Sequence, residues 1–99
     1  MYAIYSVSVM TPLGRKNGKL EITINKENIE GFLELLGQRN KLVGTVELDG
    51  SCKLSGSIIT ANRVFEYTAD GYIDKQRVSL LLTGSKYSYN LSGNILTEE

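Results

Sequence analysis

The chain has 99 residues, and its eleven Lys and Arg balance eleven Asp and Glu. One domain is expected at that length, burying roughly 60–70% of the surface its unfolded chain exposes. Balanced charge gives no electrostatic case for nucleic acid or an anionic membrane, the lack of histidine removes the commonest general base and metal ligand, and a single cysteine excludes an internal disulfide.

The start, Met1-Tyr-Ala-Ile-Tyr-Ser6, has neither a basic leader nor a long apolar run. No signal peptide and no membrane span are expected, and a lone thiol fits a reducing, cytoplasmic setting. Alternating apolar and polar residues then predict a first strand over Tyr2–Thr11, with Tyr5, Val7 and Val9 on one face. Pro12 to Asn17 reads as a loop. Gly18–Ile24 is a second strand with Leu20, Ile22 and Ile24 inward. Asn28–Leu36 is ambiguous: Ile29, Phe32, Leu33 and Leu36 have helical spacing, but Gly31 is interior and the segment is short, so it is read as strand. Further strands are expected over Lys41–Leu48, Cys52–Thr60, Arg63–Ile73, Arg77–Thr83 and Lys86–Leu96, with a frayed tail from Thr97.

Opposed residues in a hairpin share a face, so parity tests the pairing. Two-residue turns at Lys26-Glu27, Ala61-Asn62, Lys75-Gln76 and Gly84-Ser85 pair Ile24 with Ile29, Ile58 with Phe65, Ile73 with Val78 and Leu82 with Tyr87. A three-residue loop from Asp49 pairs Leu48 with Cys52, and longer loops are placed at Pro12 and Gly37. All connections keep one inner face. Gly31, Gly44, Gly56, Gly71 and Gly93 fall on it, which fits strongly curved strands. The fold class expected is all-β, an eight-stranded antiparallel meander closing into a small barrel of calycin or lipocalin type.

A shift of 49 residues sets Thr11 on Thr60, Val9 on Ile58, Ile29 on Val78, Leu33 on Leu82 and Gly44 on Gly93. Two four-strand half-repeats, about residues 5–48 and 54–96, are expected within the one domain of residues 1–99. The segments Tyr5–Gly14, with its Thr11-Pro12-Leu13-Gly14 turn, Gly18–Ile22, Ile29–Gly31 and Val43–Val46 resemble a family of small bacterial all-β domains. That family has repeated Thr-Pro-(Met/Leu)-Gly turns and strand glycines, and occurs alone or attached to flavin-dependent oxidoreductases. The second half departs from the pattern, with Thr60-Ala-Asn-Arg63 at the turn and Leu80 at a strand glycine. The resemblance implies fold, and possible association with a redox enzyme, but supplies no active site.

Candidate chemistry is thin. Cys52 lacks a histidine to activate it and reads as a small core residue. Glu27 with Glu30, and Asp70 with Asp74, are close in sequence but belong on solvated turns and faces. The glycine-rich, basic segment Thr11–Gly18 lacks the spacing of a phosphate loop and reads as a strand connection. No catalytic set, metal site or cofactor is expected, and the protein is read as non-enzymatic. Two binding readings remain. Tyr5, Tyr67, Tyr87 and Tyr89 have inward parity and predict the lining of a site for a small hydrophobic or aromatic ligand. Phe32, Leu36, Val43, Ile59 and Val64 have outward parity and predict the alternative, a homodimer or redox-enzyme interface.

Overall fold

A computed structural model describes residues 1–99. It contains eight strands, β1 (Tyr2–Thr11), β2 (Gly14–Asn25), β3 (Asn28–Leu35), β4 (Gln38–Val46), β5 (Ser51–Ile59), β6 (Val64–Ile73), β7 (Arg77–Thr83) and β8 (Ser88–Glu98). Each pairs antiparallel with the next, and β1 pairs with β8, so the meander closes into a lipocalin-like barrel without exposed edges. The ambiguous third segment is strand; its helical spacing is overridden by pairing with β2 and β4. The turns at 12–13, 36–37, 60–63 and 84–87 gather at one end, here the mouth. The opposite end carries the turns at 26–27, 47–50 and 74–76 and both termini.

The inner face is the expected one. Tyr5, Leu20, Ile22, Leu33, Leu42, Val78, Leu82 and Leu91 are fully buried, and side chains of all eight strands fill the barrel axis. Packing is the reason for the glycines. A Cβ at Gly31 or Gly71 would collide with the backbone of the adjoining strand, at Glu21 and Ser79 respectively, because the strands coil sharply over one another there. Cys52 lies buried in this core, and burial pushes its thiol up to about 11.

The pairs Ile24–Ile29, Ile58–Phe65 and Ile73–Val78 form as expected. Elsewhere the connections differ from expectation while the faces hold. Pro12–Asn17 is not a loop: β2 begins at Gly14, and Thr11 Oγ1 closes a two-residue turn by donating to the Gly14 carbonyl at 2.8 Å and accepting the Leu13 amide at 3.2 Å. The Gly37 connection is also a two-residue turn, with both Leu36 (φ 55°) and Gly37 (φ 78°) in the left-handed region that a tight hairpin requires. Val46, not Leu48, opposes Cys52, which leaves Leu48 wholly exposed in a four-residue loop. Leu82 opposes Tyr89, not Tyr87, because the last turn is Ser85-Lys86. The tail is paired, not frayed: the amides of Tyr2 and Glu99 donate to each other's carbonyls at 3.0 and 2.8 Å.

The strand starts recur at 49 or 50 residues. Tyr2 and Ser51 are 49 residues apart, as are Asn28 and Arg77, while Gly14 to Val64 and Gln38 to Ser88 are each 50. A meander of evenly sized hairpins has this spacing whether or not it arose by copying.

Candidate functional site

The mouth is where the ladders loosen. Pairing of β4 with β5 stops at Leu42–Gly56, although both strands run further. Asn40 spans the gap: its Nδ2 donates to the Leu33 carbonyl at 3.1 Å and, more weakly, to that of Gln38 at 3.4 Å, while its Oδ1 accepts the Ile59 amide at 3.0 Å. Asn40 is the one buried polar residue, and every hydrogen bond it makes is to backbone. Pairing of β6 with β7 likewise stops at Thr68–Thr83, so Val64 to Tyr67 run on beyond their neighbour.

Into that loosened region project four aromatic side chains. Tyr67 is buried, Phe65 and Tyr89 are half-buried, and Tyr87 is exposed. Phe65 stacks beside Tyr67 with ring centroids 6.2 Å apart, meets Tyr89 edge-on at 5.5 Å, and Tyr89 stacks beside Tyr87 at 6.4 Å. The rings form one path from core to rim. Gly84 permits it, since a Cβ there would run into the Phe65 ring.

The Tyr67 hydroxyl makes no hydrogen bond within the protein, yet it is not sealed away from solvent. It lies against Gly56, where a Cβ would approach it to 2.8 Å, at the point where the β4–β5 ladder ends. A groove on the outer wall, edged by Lys41, Ser57 and Glu66, reaches it there. Burial pushes this phenol up to about 12, so it is neutral and a donor at ordinary pH.

Three of the four tyrosines expected to line a site are therefore brought together, and one is not. Tyr5 is fully buried toward the opposite end, where its hydroxyl donates to the Asp74 carbonyl at 2.7 Å. Its hydrogen bond is satisfied by the fold. Tyr87 has inward parity but stands beyond the last paired residues, with 56% of its surface exposed, so it belongs to the rim and not to a lumen. Phe65, the link between Tyr67 and Tyr89, was not anticipated as a site residue. Its signal is visible in the sequence: residues 65 and 67, and 87 and 89, are two aromatic pairs at the spacing that puts both members on one face of a strand.

The outer apolar residues do face outward, but they do not merge into one surface. Ile59 and Val64 oppose each other at the mouth and are exposed. Val43 lies opposite Ser55, away from that pair, and Leu36 is part of a turn. Phe32 is half-buried under Arg39, whose guanidinium carbon is 4.0 Å from the ring centroid. The same guanidinium bonds Glu21 at 3.0 Å and Glu34 at 3.5 Å. Lys41 and Glu66 lie between these fragments.

No group of His, Cys, Asp and Glu side chains is placed to hold a metal ion. The larger concavities lie on the outer wall, at Gly93, at Gly56 and beside Gly18. No family model and no curated protein sequence matches the chain. Among solved structures it is similar to a redesigned β-barrel, mFAP1, solved bound to DFHBI, with a TM-score of 0.62 over 96% of this chain and 93% of that one. The two are 13% identical, so the likeness is one of fold.

Proposed function

We propose that this barrel is a non-enzymatic binding protein that takes a small hydrophobic or aromatic molecule at its mouth. The observation that carries the reading is the unbroken aromatic path from buried Tyr67 through Phe65 and Tyr89 to exposed Tyr87. Aromatic faces presented at a rim offer stacking area at little cost in side-chain entropy. Since the axis is filled, the ligand stacks on the mouth and does not enter a preformed lumen. Tyr67 closes the inner end of the path with its ring, while its hydroxyl opens on the outer-wall groove beside Gly56 and not on the mouth. The solved barrel of similar fold was captured with a small ligand, DFHBI, which makes the same use of such a scaffold reasonable.

The reading sets the protein in water. Apolar residues fill its interior while Lys19, Glu30, Lys53 and Glu66 face outward, the reverse of a lipid-facing barrel. Docking on a redox enzyme, as the family resemblance suggests, draws less support, because Phe32 is covered and the remaining apolar residues are dispersed.

The test is a fluorescence titration with N-phenyl-1-naphthylamine, a neutral aromatic amine whose emission rises in apolar surroundings. One saturable site is expected. Tyr87→Ser and Tyr89→Ser weaken it about tenfold each, the value of one lost aromatic contact of some 1.4 kcal/mol. Val43→Ser leaves it unchanged. Absence of saturable binding to the unaltered protein would overturn the proposal, and so would equal loss in all three variants.

A further inference from the structure

The charges are balanced in number and divided in space. The residues of the mouth turns and their flanks, 10–16, 35–39, 59–64 and 83–88, include Arg15, Lys16, Arg39, Arg63 and Lys86 and no carboxylate. The turns and terminal residues of the opposite end carry Glu27, Glu47, Asp49, Asp74, Glu98 and Glu99 against Lys26 and Lys75, an excess of acid. Ion pairs neutralise only Arg39, which is held by Glu21 and Glu34 on the outer wall. The other four mouth cations have no acidic partner.

The strand register gives two of the four the inward parity, one on each side of the mouth: Lys16 on β2 and Arg63 at the entry to β6. Lys16 opposes Val9, whose side chain is in the core, so Lys16 shares the inner face; it is half-buried. Arg63 leads into β6 two residues before Phe65, on the same face as Phe65 and Tyr67, and its carbonyl accepts the Thr60 amide at 2.9 Å across the turn. The short hairpin at Pro12-Leu13 places Lys16 there, because β2 begins early enough to bring it onto the wall. In the mouth half of the barrel no acid faces inward.

From this arrangement we infer that the ligand of the mouth is an aromatic anion, with its ring system on Phe65, Tyr89 and Tyr87 and its sulfonate, carboxylate or phosphate between Lys16 and Arg63. The inference rests on the proposal that the mouth is a binding site and names the ligand class. Unpaired cations beside a low-dielectric aromatic surface attract an anion more strongly than the same cations in open water. The acidic far end repels it, so the field along the barrel directs an anion to the mouth.

The experiment compares two probes that differ by one group: 8-anilinonaphthalene-1-sulfonate, and N-phenyl-1-naphthylamine, which is the same molecule without the sulfonate. Both are titrated into the full chain, the Lys16→Gln/Arg63→Gln double variant and a Lys26→Gln/Lys75→Gln control altered at the opposite end. The sulfonate is expected to bind about tenfold more tightly than the neutral probe, as a charge-assisted contact at a half-desolvated site would give. Added salt should reduce that preference. The mouth double variant should bring the two affinities together while leaving the neutral probe's affinity unchanged, and the control should keep the preference. If the neutral probe binds saturably and the sulfonate binds no better, the anion inference fails and the aromatic site stands. If the preference survives in the mouth variant, or disappears in the control, the charges responsible lie elsewhere and the inference is overturned. If neither probe binds, both readings fall.

Discussion

Tyr5 and Tyr67 are both buried phenols, but the barrel treats their hydroxyls differently. Tyr5 donates to the Asp74 carbonyl, while Tyr67 has no partner in the protein. Removing an intramolecular hydrogen bond and leaving its acceptor unpaired costs about 1 kcal/mol. Tyr5→Phe is therefore expected to lose about that much stability in urea unfolding, and Tyr67→Phe to stay within about 0.5 kcal/mol of the unaltered protein. Equal losses would show that the Tyr67 hydroxyl is also satisfied by the protein in solution. Both phenols are pushed up to about 12 from 10.0, Tyr5 mainly by burial with the Asp74 charge adding to it, and Tyr67 by burial alone. A raised folded value means the native state holds its proton longer than the unfolded chain. The stability tied to it is whole below pH 10 and is lost as pH climbs toward 12.

At the scale of the element, hairpin turns carry the register and some of the pH dependence. Asp74 Oδ1 accepts the Gln76 and Arg77 amides at 2.7 and 2.8 Å, and Asp49 Oδ1 accepts the Ser51 amide and hydroxyl at 2.9 and 2.7 Å. These bonds hold both carboxyls below their ordinary value. A depressed folded value stabilises above the unfolded value near 3.8 and loses that contribution as pH falls through the folded one. Thermal unfolding should therefore show Tm falling as the pH is taken below 3.8, and Asp74→Asn should lower Tm at pH 7 while making that fall smaller. An unchanged slope in the variant would assign the acid sensitivity to other groups. The turns are also where sequence reading reached its limit. A period of two assigns every side chain to a face, which is why the inner face was legible from Tyr5 to Leu91. A slip of two residues leaves every face unchanged, so alternation could not separate Leu82–Tyr87 from Leu82–Tyr89, or Leu48–Cys52 from Val46–Cys52. Gly84 looked like a turn residue, but its lack of a side chain serves the Phe65 ring. The slip of two sets Tyr87 opposite Leu82 within the wall, whereas the structure stands it on the rim beyond the last pair.

At the scale of the whole molecule, the mouth can loosen only because the barrel is closed everywhere else. The β4–β5 and β6–β7 ladders stop short toward the mouth. The β1–β8 seam has one irregularity, at Ile4/Tyr5, and continues past it to Ala3–Glu98 and the reciprocal bonds of Tyr2 with Glu99. The seam therefore secures the acidic end and leaves the basic, aromatic end free to adjust. Deleting Leu96–Glu99 tests this, because it removes the partners of Tyr2, Ala3 and Ile4 without touching a residue of the mouth. Loss of about three or four ladder hydrogen bonds, each contributing near 1 kcal/mol net, predicts about 3–4 kcal/mol less stability. Faster hydrogen exchange at Tyr2, at the Ile24 amide that bonds Met1, and along the start of β1 should accompany it. N-phenyl-1-naphthylamine affinity should persist wherever the shortened chain is folded. If the truncation costs nothing and exchange is unchanged, the seam does not hold the far end shut, and the division between a fixed end and a receptive mouth fails with it.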